Sequence, residues 1–447
     1  MAPKINVYAW KGVNVDRSPV HLEDGELTSA QNAVLDVQGH EGGVRKRPGL
    51  ARFNSSAGAG SIYGGVGVPL ALLANAVGGT SLAGGATRKV FFGRQATDAV
   101  GGASRGWWTS TDKFATAATV VEDGSPADPR SNDQVRRYIQ GSDSFHLGSP
   151  AASCVVRNRL IYASDGYTVG TNTAPIRAFD GTVDQEIARV TPGALTAAVN
   201  SYGVLSMLAV GETVYMTVFS ATDTSTTQTG VILSLNPSTG AIAEVGTISL
   251  TSRHVPYCLA WHMGRLWVGT QDHSAAGPGK IYWIRPGIDT SWTLDRTMGS
   301  GTGCTSLTSF QGQLFAGGRY GAVDALVEVR SSIGTWSTSL TIASASASNY
   351  LGAAVFEGNL YLSHYTPTGD VSLIKKFDGS SWSTVLSGTS KPLTYAWIDD
   401  THIYFGGAGD ALDGALYTSP DGAAWTDRSA NLTTGFMGLG AVGVLSL

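Results

Sequence analysis

Five arginines, Arg177, Arg253, Arg265, Arg285 and Arg330, are the side chains of this 447-residue chain best suited to chemistry on a charged substrate. Three guanidiniums around one carboxylate, beside a tyrosine and glutamate pair, would bind and cleave a carboxylated sugar. Nothing in the spacing of the five brings any three together. The eight histidines, from His21 to His402, contain no His-x-x-x-His pair, and no Cys-x-x-Cys is present, so a zinc site is not expected. No Asp-x-Asp-x-Asp-Gly calcium loop occurs, and Asp410 and Asp413 beside Gly414 read as a turn. A P-loop motif is also missing. Cys154, Cys258 and Cys304 are widely spaced and fall at small-residue strand starts, which reads as free buried thiols. The expectation is a chain with no catalytic, cofactor or metal site, and therefore not an enzyme.

The elements that would carry these residues are strands. Glycine supplies 58 residues and charged residues only 14%, a balance of strands and turns with few surface helices. A net charge of −4 provides no basic field, so nucleic acid is expected to pass without specific binding. The uncharged stretch from 53 to 87 is broken by Pro69 and glycines and is not read as a membrane span. No secretory signal is read at the N-terminus.

One unit, Leu351 to Trp382, can be laid over most of the chain: a strand, the turn Glu357-Gly358-Asn359, a second strand with Tyr361, a third with Ile374 and Phe377, and Asp378-Gly379 turning toward Trp382. Second-strand aromatics recur at Phe92, Tyr162, Tyr215, Trp267, Phe315, Tyr361 and Tyr404, the later five steps being 53, 52, 48, 46 and 43 residues. Tryptophans mark the outer strands at Trp292, Trp336, Trp382 and Trp425, with steps of 44, 46 and 43. Two marks with one period predict an all-β, seven-bladed β-propeller with blades near 61–121, 148–192, 200–250, 254–297, 302–342, 348–388 and 391–430. Trp107 and Trp108 mark its more divergent first blade. The tail from Gly435 to Leu445 reads as one further strand that closes the first blade. Thr418 to Trp425 looks like the Asp-box turn of sialidases and other propellers, which is structural in those families. Trp261 and Trp397 align with Phe310 and Phe356 and are expected in the core.

Residues 1–60 differ from the rest. Gly12-Val13-Asn14-Val15-Asp16-Arg17-Ser18-Pro19, Leu22 to Leu27, Ala30-Gln31-Asn32 and Gly43-Val44-Arg45-Lys46-Arg47-Pro48-Gly49 are similar to the N-terminal segment of tailed-phage virion proteins. In that group such an arm precedes a β-propeller, and the best-known members are the tail hub or nozzle proteins of short-tailed phages. The resemblance implies a structural protein of the virion tail, assembled in the host cytoplasm as a hexameric ring. It would continue the DNA channel below the connector and carry fibre or spike proteins.

Read physically, Asp24 is placed to cap a short helix starting near Glu26, and Val34, Leu35 and Val37 resume a strand. Arg17 and the cluster Arg45-Lys46-Arg47 suit pairing with carboxylates of a neighbouring subunit, the alternatives for the cluster being a solvated turn or a DNA contact. Residues 61–447 would form the propeller, interrupted at 122–149 by a polar, proline-bearing loop. Its Arg136, Arg137 and Tyr138 are candidates for contact with another virion protein, in a helical turn around Gln134 to Tyr138. Glycan binding at a tail tip is the main alternative function, and a sialidase-like or other glycoside hydrolase the lesser one.

Overall fold

Hairpin turns set the architecture, and several of them place a glycine in left-handed backbone. The chain was described from a computed structural model covering 88–94, 106–123 (without 111, 117 and 118), 153–163, 174–190 (without 182), 201–221, 228–248, 254–272, 278–299, 303–320, 324–343, 349–366, 371–389, 393, 395–407 (without 400), 415–431 and 439–446, with four short strands before residue 50. Two compact units divide it, Met1–Val68 and Pro69–Leu447.

In the first unit β1 (Gly12–Val13) pairs in parallel with β2 (Glu26–Leu27). β3 (Ala33–Asp36) and β4 (Gly43–Lys46) form an antiparallel hairpin. The helix expected at Glu26 is a strand instead. One acid in a first turn supplies only about 0.3–1 kcal/mol, too little to nucleate a helix against an available strand partner. The strand expected at Val34 and Leu35 is present, whereas Val37 lies outside the described residues.

The second unit begins with β5 (Arg88–Arg94), β6 (Gly106–Ser110) and β7 (Thr119–Asp123). Six four-stranded sheets follow, each an antiparallel meander of consecutive strands. They are β8 (Ser153–Val156) to β9 (Arg159–Ala163), β10 (Ala174–Phe179) and β11 (Asp184–Val190); then β12 (Ser201–Val210), β13 (Thr213–Ala221), β14 (Gln228–Leu235) and β15 (Ile242–Glu244). Next come β16 (His254–His262), β17 (Arg265–Asp272), β18 (Lys280–Ile284) and β19 (Thr293–Thr297), then β20 (Gly303–Phe310), β21 (Gln313–Tyr320), β22 (Asp324–Arg330) and β23 (Trp336–Ala343). The last two are β24 (Asn349–Phe356), β25 (Asn359–Thr366), β26 (Val371–Phe377) and β27 (Trp382–Thr389), and β28 (Tyr395–Ile398), β29 (Ile403–Gly407), β30 (Ala415–Ser419) and β31 (Thr426–Asp427). The C-terminal β32 (Leu439–Ser446) pairs antiparallel with β5, so that a further four-stranded sheet runs β32-β5-β6-β7. The only helical turn among the described residues is 3-10, at Ser429–Asn431. The chain is an all-β propeller, with six contiguous blades where the sequence period predicts seven and one composite sheet joining its two ends.

First turns follow the sequence signal. Met263 and Gly264, Gln311 and Gly312, and Glu357 and Gly358 all have φ between 46° and 74°, the paired left-handed geometry whose twist matches the flanking strands. Inner strands share a further device invisible in the periodicity: pairing with the second strand shifts by a bulge at 204/206, 256/258, 304/306 and 350/353. Burial falls outward, from a fully buried β29 to β11, β19 and β27, where exposed and half-buried residues dominate. The core consists of apolar layers between successive sheets, for example Phe310, Phe315 and Val327 against Leu360, Leu362 and Phe377.

Second-strand aromatics reach into the following sheet. Phe315 meets Phe377 at 5.3 Å and Trp382 at 6.3 Å, Tyr361 meets Trp425 at 6.4 Å, and Tyr404 meets Phe114 at 6.1 Å. Phe114, in the β6–β7 turn, is thus met by β29 in the manner that Trp382 and Trp425 are met by the strands before them.

Candidate functional site

Of the residues singled out for assembly contacts, Arg45 and Lys46 lie on β4, opposite Val34 and Ala33. They belong to a strand rather than to a turn. Arg17, Arg47, Arg136, Arg137 and Tyr138 fall outside the described residues, as do Arg253, Asp410 and Asp413. The 122–149 loop starts later than its composition suggests, since β7 runs through Glu122 to Asp123.

The remaining arginines do not converge; each is committed to its own partner. Arg177 pairs with Asp184 at 2.9 Å, and Tyr162 donates to the same carboxylate at 2.5 Å. Arg285 grips Asp289 four residues on, at 2.7 Å. Arg265 lies 3.9 Å from the centre of the Trp283 ring. Arg330 forks onto Asp295 at 2.9 and 3.2 Å while its guanidinium stands 5.0 Å from Trp267. A cluster of three arginines around a substrate carboxylate is therefore not formed among the described residues.

The densest group of titratable side chains sits where the β16–β19 and β20–β23 blades meet. Asp295 and Arg296 on β19 face Arg330 and Glu328 on β22, Arg296 reaching Glu328 at 2.5 Å. Trp336 donates its indole N–H to Asp295 at 2.7 Å. His262, at the end of β16, shares a 2.8 Å hydrogen bond between its Nδ1 and Ser309 Oγ on β20, and its Nε2 has no hydrogen-bond partner. Burial first, then the Arg330 and Arg265 charges, push the His262 pKa down.

A serine beside a histidine invites comparison with a nucleophile and its base. A base must accept a proton, and here two guanidiniums oppose the imidazolium that would form. The Asp295 carboxylate of this cluster is already held by Arg330 and Trp336. What the cluster does chemically is bind one blade to the next through paired, shielded charges.

His262 also corrects the expectation for Trp261. His262, not Trp261, directly precedes its turn as Phe310 and Phe356 do, and its ring meets Trp267 at 6.2 Å as Phe310 meets Phe315 at 6.1 Å. Alternation along a strand then sends Trp261 to the opposite face, where it is 37% exposed. Trp397 is half-buried and stacks on Tyr404, with ring centres 5.0 Å apart and 4° between planes.

The periodic tryptophans stand at or just before the start of the fourth strand and are structural. Trp292 donates to Val245 O at 2.6 Å, Trp336 to Asp295, and Trp382 to Ser339 Oγ at 2.9 Å, in each case an acceptor on the preceding blade. Trp425 packs against Phe405 and Tyr361. In the turn before it Asp421 accepts from the Ala423 and Ala424 amides at 2.8 and 2.9 Å, and these bonds lower its pKa. Asp378 does the same for Ser380 and Ser381, which holds it far below the usual carboxylate range. Such Asx turns are why an acid and a tryptophan recur together without a reaction to serve.

The last contiguous blade is clasped to the composite sheet. Lys113, in the β6–β7 turn, pairs with the buried Asp399 at 2.5 Å, which also accepts from Tyr404 OH and the Thr401 and His402 amides. Asn431 donates to the carbonyls of Phe114 and Ala115. On the other side β32 lies against β8 and β9. No group of three or more potential metal ligands occurs among the described residues, and no helix among them is long and apolar enough to cross a membrane.

No family model and no curated protein matches this chain. Solved structures do. A puromycin hydrolase matches with a TM-score of 0.51 at 10% identity, over 77% of this chain and 52% of that one. A Trypanosoma rangeli sialidase in complex with DANA matches with a TM-score of 0.42 at 13% identity, over 62% and 53%. The SapL1 lectin in complex with alpha methyl fucoside gives 0.41 at 14%, over 65% and 97%. The aligned part is thus about half of the hydrolase and of the sialidase, and at 10% identity the hydrolase match shows a shared fold alone.

Proposed function

We propose that this chain is a non-catalytic structural protein of a phage tail, a hub or nozzle subunit whose propeller gives width and attachment surface while its arm makes assembly contacts. The composite sheet serves as the seventh blade, flanked by β8–β11 and β28–β31. Six copies form the ring, joined to a connector and to fibre or spike proteins, with the genome passing through uncontacted by specific binding. The observation that supports this reading is how the described charges are used: Arg177, Arg296, Arg330 and Lys113 are all spent on carboxylates that fasten strands or blades together. That produces a rigid body rather than a reacting set, and the virion role itself rests on the resemblance of residues 1–60. Deleting 1–55 is expected to abolish incorporation into particles while the remaining chain still melts cooperatively; normal incorporation of the truncated chain sinks the reading.

Glycan binding is the second reading, favoured by Trp261, whose exposed ring is the kind of platform on which sugars stack. A glycan array with the wild-type chain and Trp261→Ala distinguishes the two, since a specific signal lost in the variant would establish the lectin role.

A further inference from the structure

Cys258 and Cys304 are 46 residues apart in sequence, yet their sulfurs lie 3.9 Å from each other across the boundary between the β16–β19 and β20–β23 blades. Each stands beside the bulge of its own inner strand, Cys258 just after the shift at 256/258 and Cys304 at the start of the one at 304/306. Space for the pair comes from a missing side chain. Gly269 is the strand partner of Cys258, and a Cβ there would overlap the Cys258 sulfur at 2.7 Å and the Cys304 Cβ at 2.8 Å. The two thiols make only weak donations to carbonyls, Cys258 to Cys304 O at 3.6 Å and Cys304 to Ser306 O at 3.7 Å, so little holds them in the reduced form. Around them are Trp267, Ile281, Met298, Leu307 and Leu314, an apolar shell that penalises a thiolate but accepts a neutral, apolar disulfide. Bond formation requires the sulfurs to close from 3.9 Å to about 2.05 Å.

We propose that Cys258 and Cys304 form a reversible disulfide that locks these two blades together when the protein meets a peroxide-class oxidant. Cys258, 8% exposed against 0% for Cys304, is the entry point. The Cys258 thiol gives up its proton as its sulfur attacks one peroxide oxygen, the O–O bond breaks, and the leaving hydroxide takes that proton, so the products are a Cys258 sulfenic acid and water. Cys304 then attacks the sulfenic sulfur, the S–O bond breaks, and hydroxide leaves with the Cys304 proton as a second water. The two thiols lose two electrons in total and the peroxide gains them. Burial raises the Cys304 pKa, so the closing step is slow, and the same burial shields the product from bulky reductants.

The test uses the full folded chain treated with hydrogen peroxide, then unfolded in guanidinium and alkylated. The expected result is one label per chain, on Cys154, a mass lower by two hydrogens before labelling, and a cross-linked peptide joining 258 and 304. Dithiothreitol applied to the unfolded protein restores all three labels. Cys154→Ser is expected to keep the cross-link, and Cys304→Ala to lose it and halt at a Cys258 sulfenic acid trapped by dimedone. The oxidised chain should also melt a few degrees higher than the reduced one. Three labels after oxidation, stable oxygen adducts without the 258–304 peptide, or a link that uses Cys154 would each overturn the proposal.

Discussion

Asp295 carries more of the blade contact than its size suggests. Its carboxylate takes both arms of the Arg330 fork and the Trp336 indole N–H, and both charged side chains are mostly buried, at 13% and 12% exposed. Removing one partner strands a buried charge, so Asp295→Ala is expected to cost about 3–5 kcal/mol in urea unfolding, whereas Asp295→Ala with Arg330→Met should cost much less. His364 offers a pH test. Burial, and secondarily the nearby Lys375, lower its pKa from 6.5 to about 4. Between those values the unfolded chain binds the proton and the folded chain does not, so stability falls as pH drops from about 6.5 to about 4, by on the order of 3 kcal/mol. Urea midpoints measured at pH 7 and pH 4.5 should converge more closely in His364→Phe than in the wild type. Residue-level reading of the sequence failed at Trp261 for an equally local reason. One position of misalignment exchanges the faces of a strand, and a histidine in an aromatic column does not announce itself as core.

At the scale of elements, β32 is the strand on which the circuit depends. Without it β5 becomes an open edge beside β8, and three strands remain where four are paired. Truncation after residue 438 is therefore expected to lower the melting temperature and expose β5–β7 to early proteolysis, read by mass spectrometry of the first fragments. Strand order and first turns were legible because Glu357-Gly358 and its counterparts have the chemistry that left-handed turns demand. The bulges were not. They arise where an inner strand bends to pack beside its neighbour, and no residue type encodes them. The short helix expected at Glu26 failed because a capping signal is weak beside the pairing of β2 with β1.

For the whole molecule, the period of its aromatics and tryptophans was sufficient to establish an all-β repeat and most blade limits, because each blade repeats the same burial problem and solves it with the same residues in the same order. The sequence likewise foretold that an end strand would find its sheet at the start of the ring, since a lone apolar strand has nowhere else to satisfy its backbone. What required the tertiary structure was every statement about convergence. Five arginines could have gathered around a ligand; instead the four described ones face four separate partners. Two cysteines that look unrelated in sequence touch across a blade boundary. Periodicity fixes where a residue stands within its own blade, but which side chains meet depends on the angle and register at which neighbouring blades pack, and those are set by contacts remote in sequence.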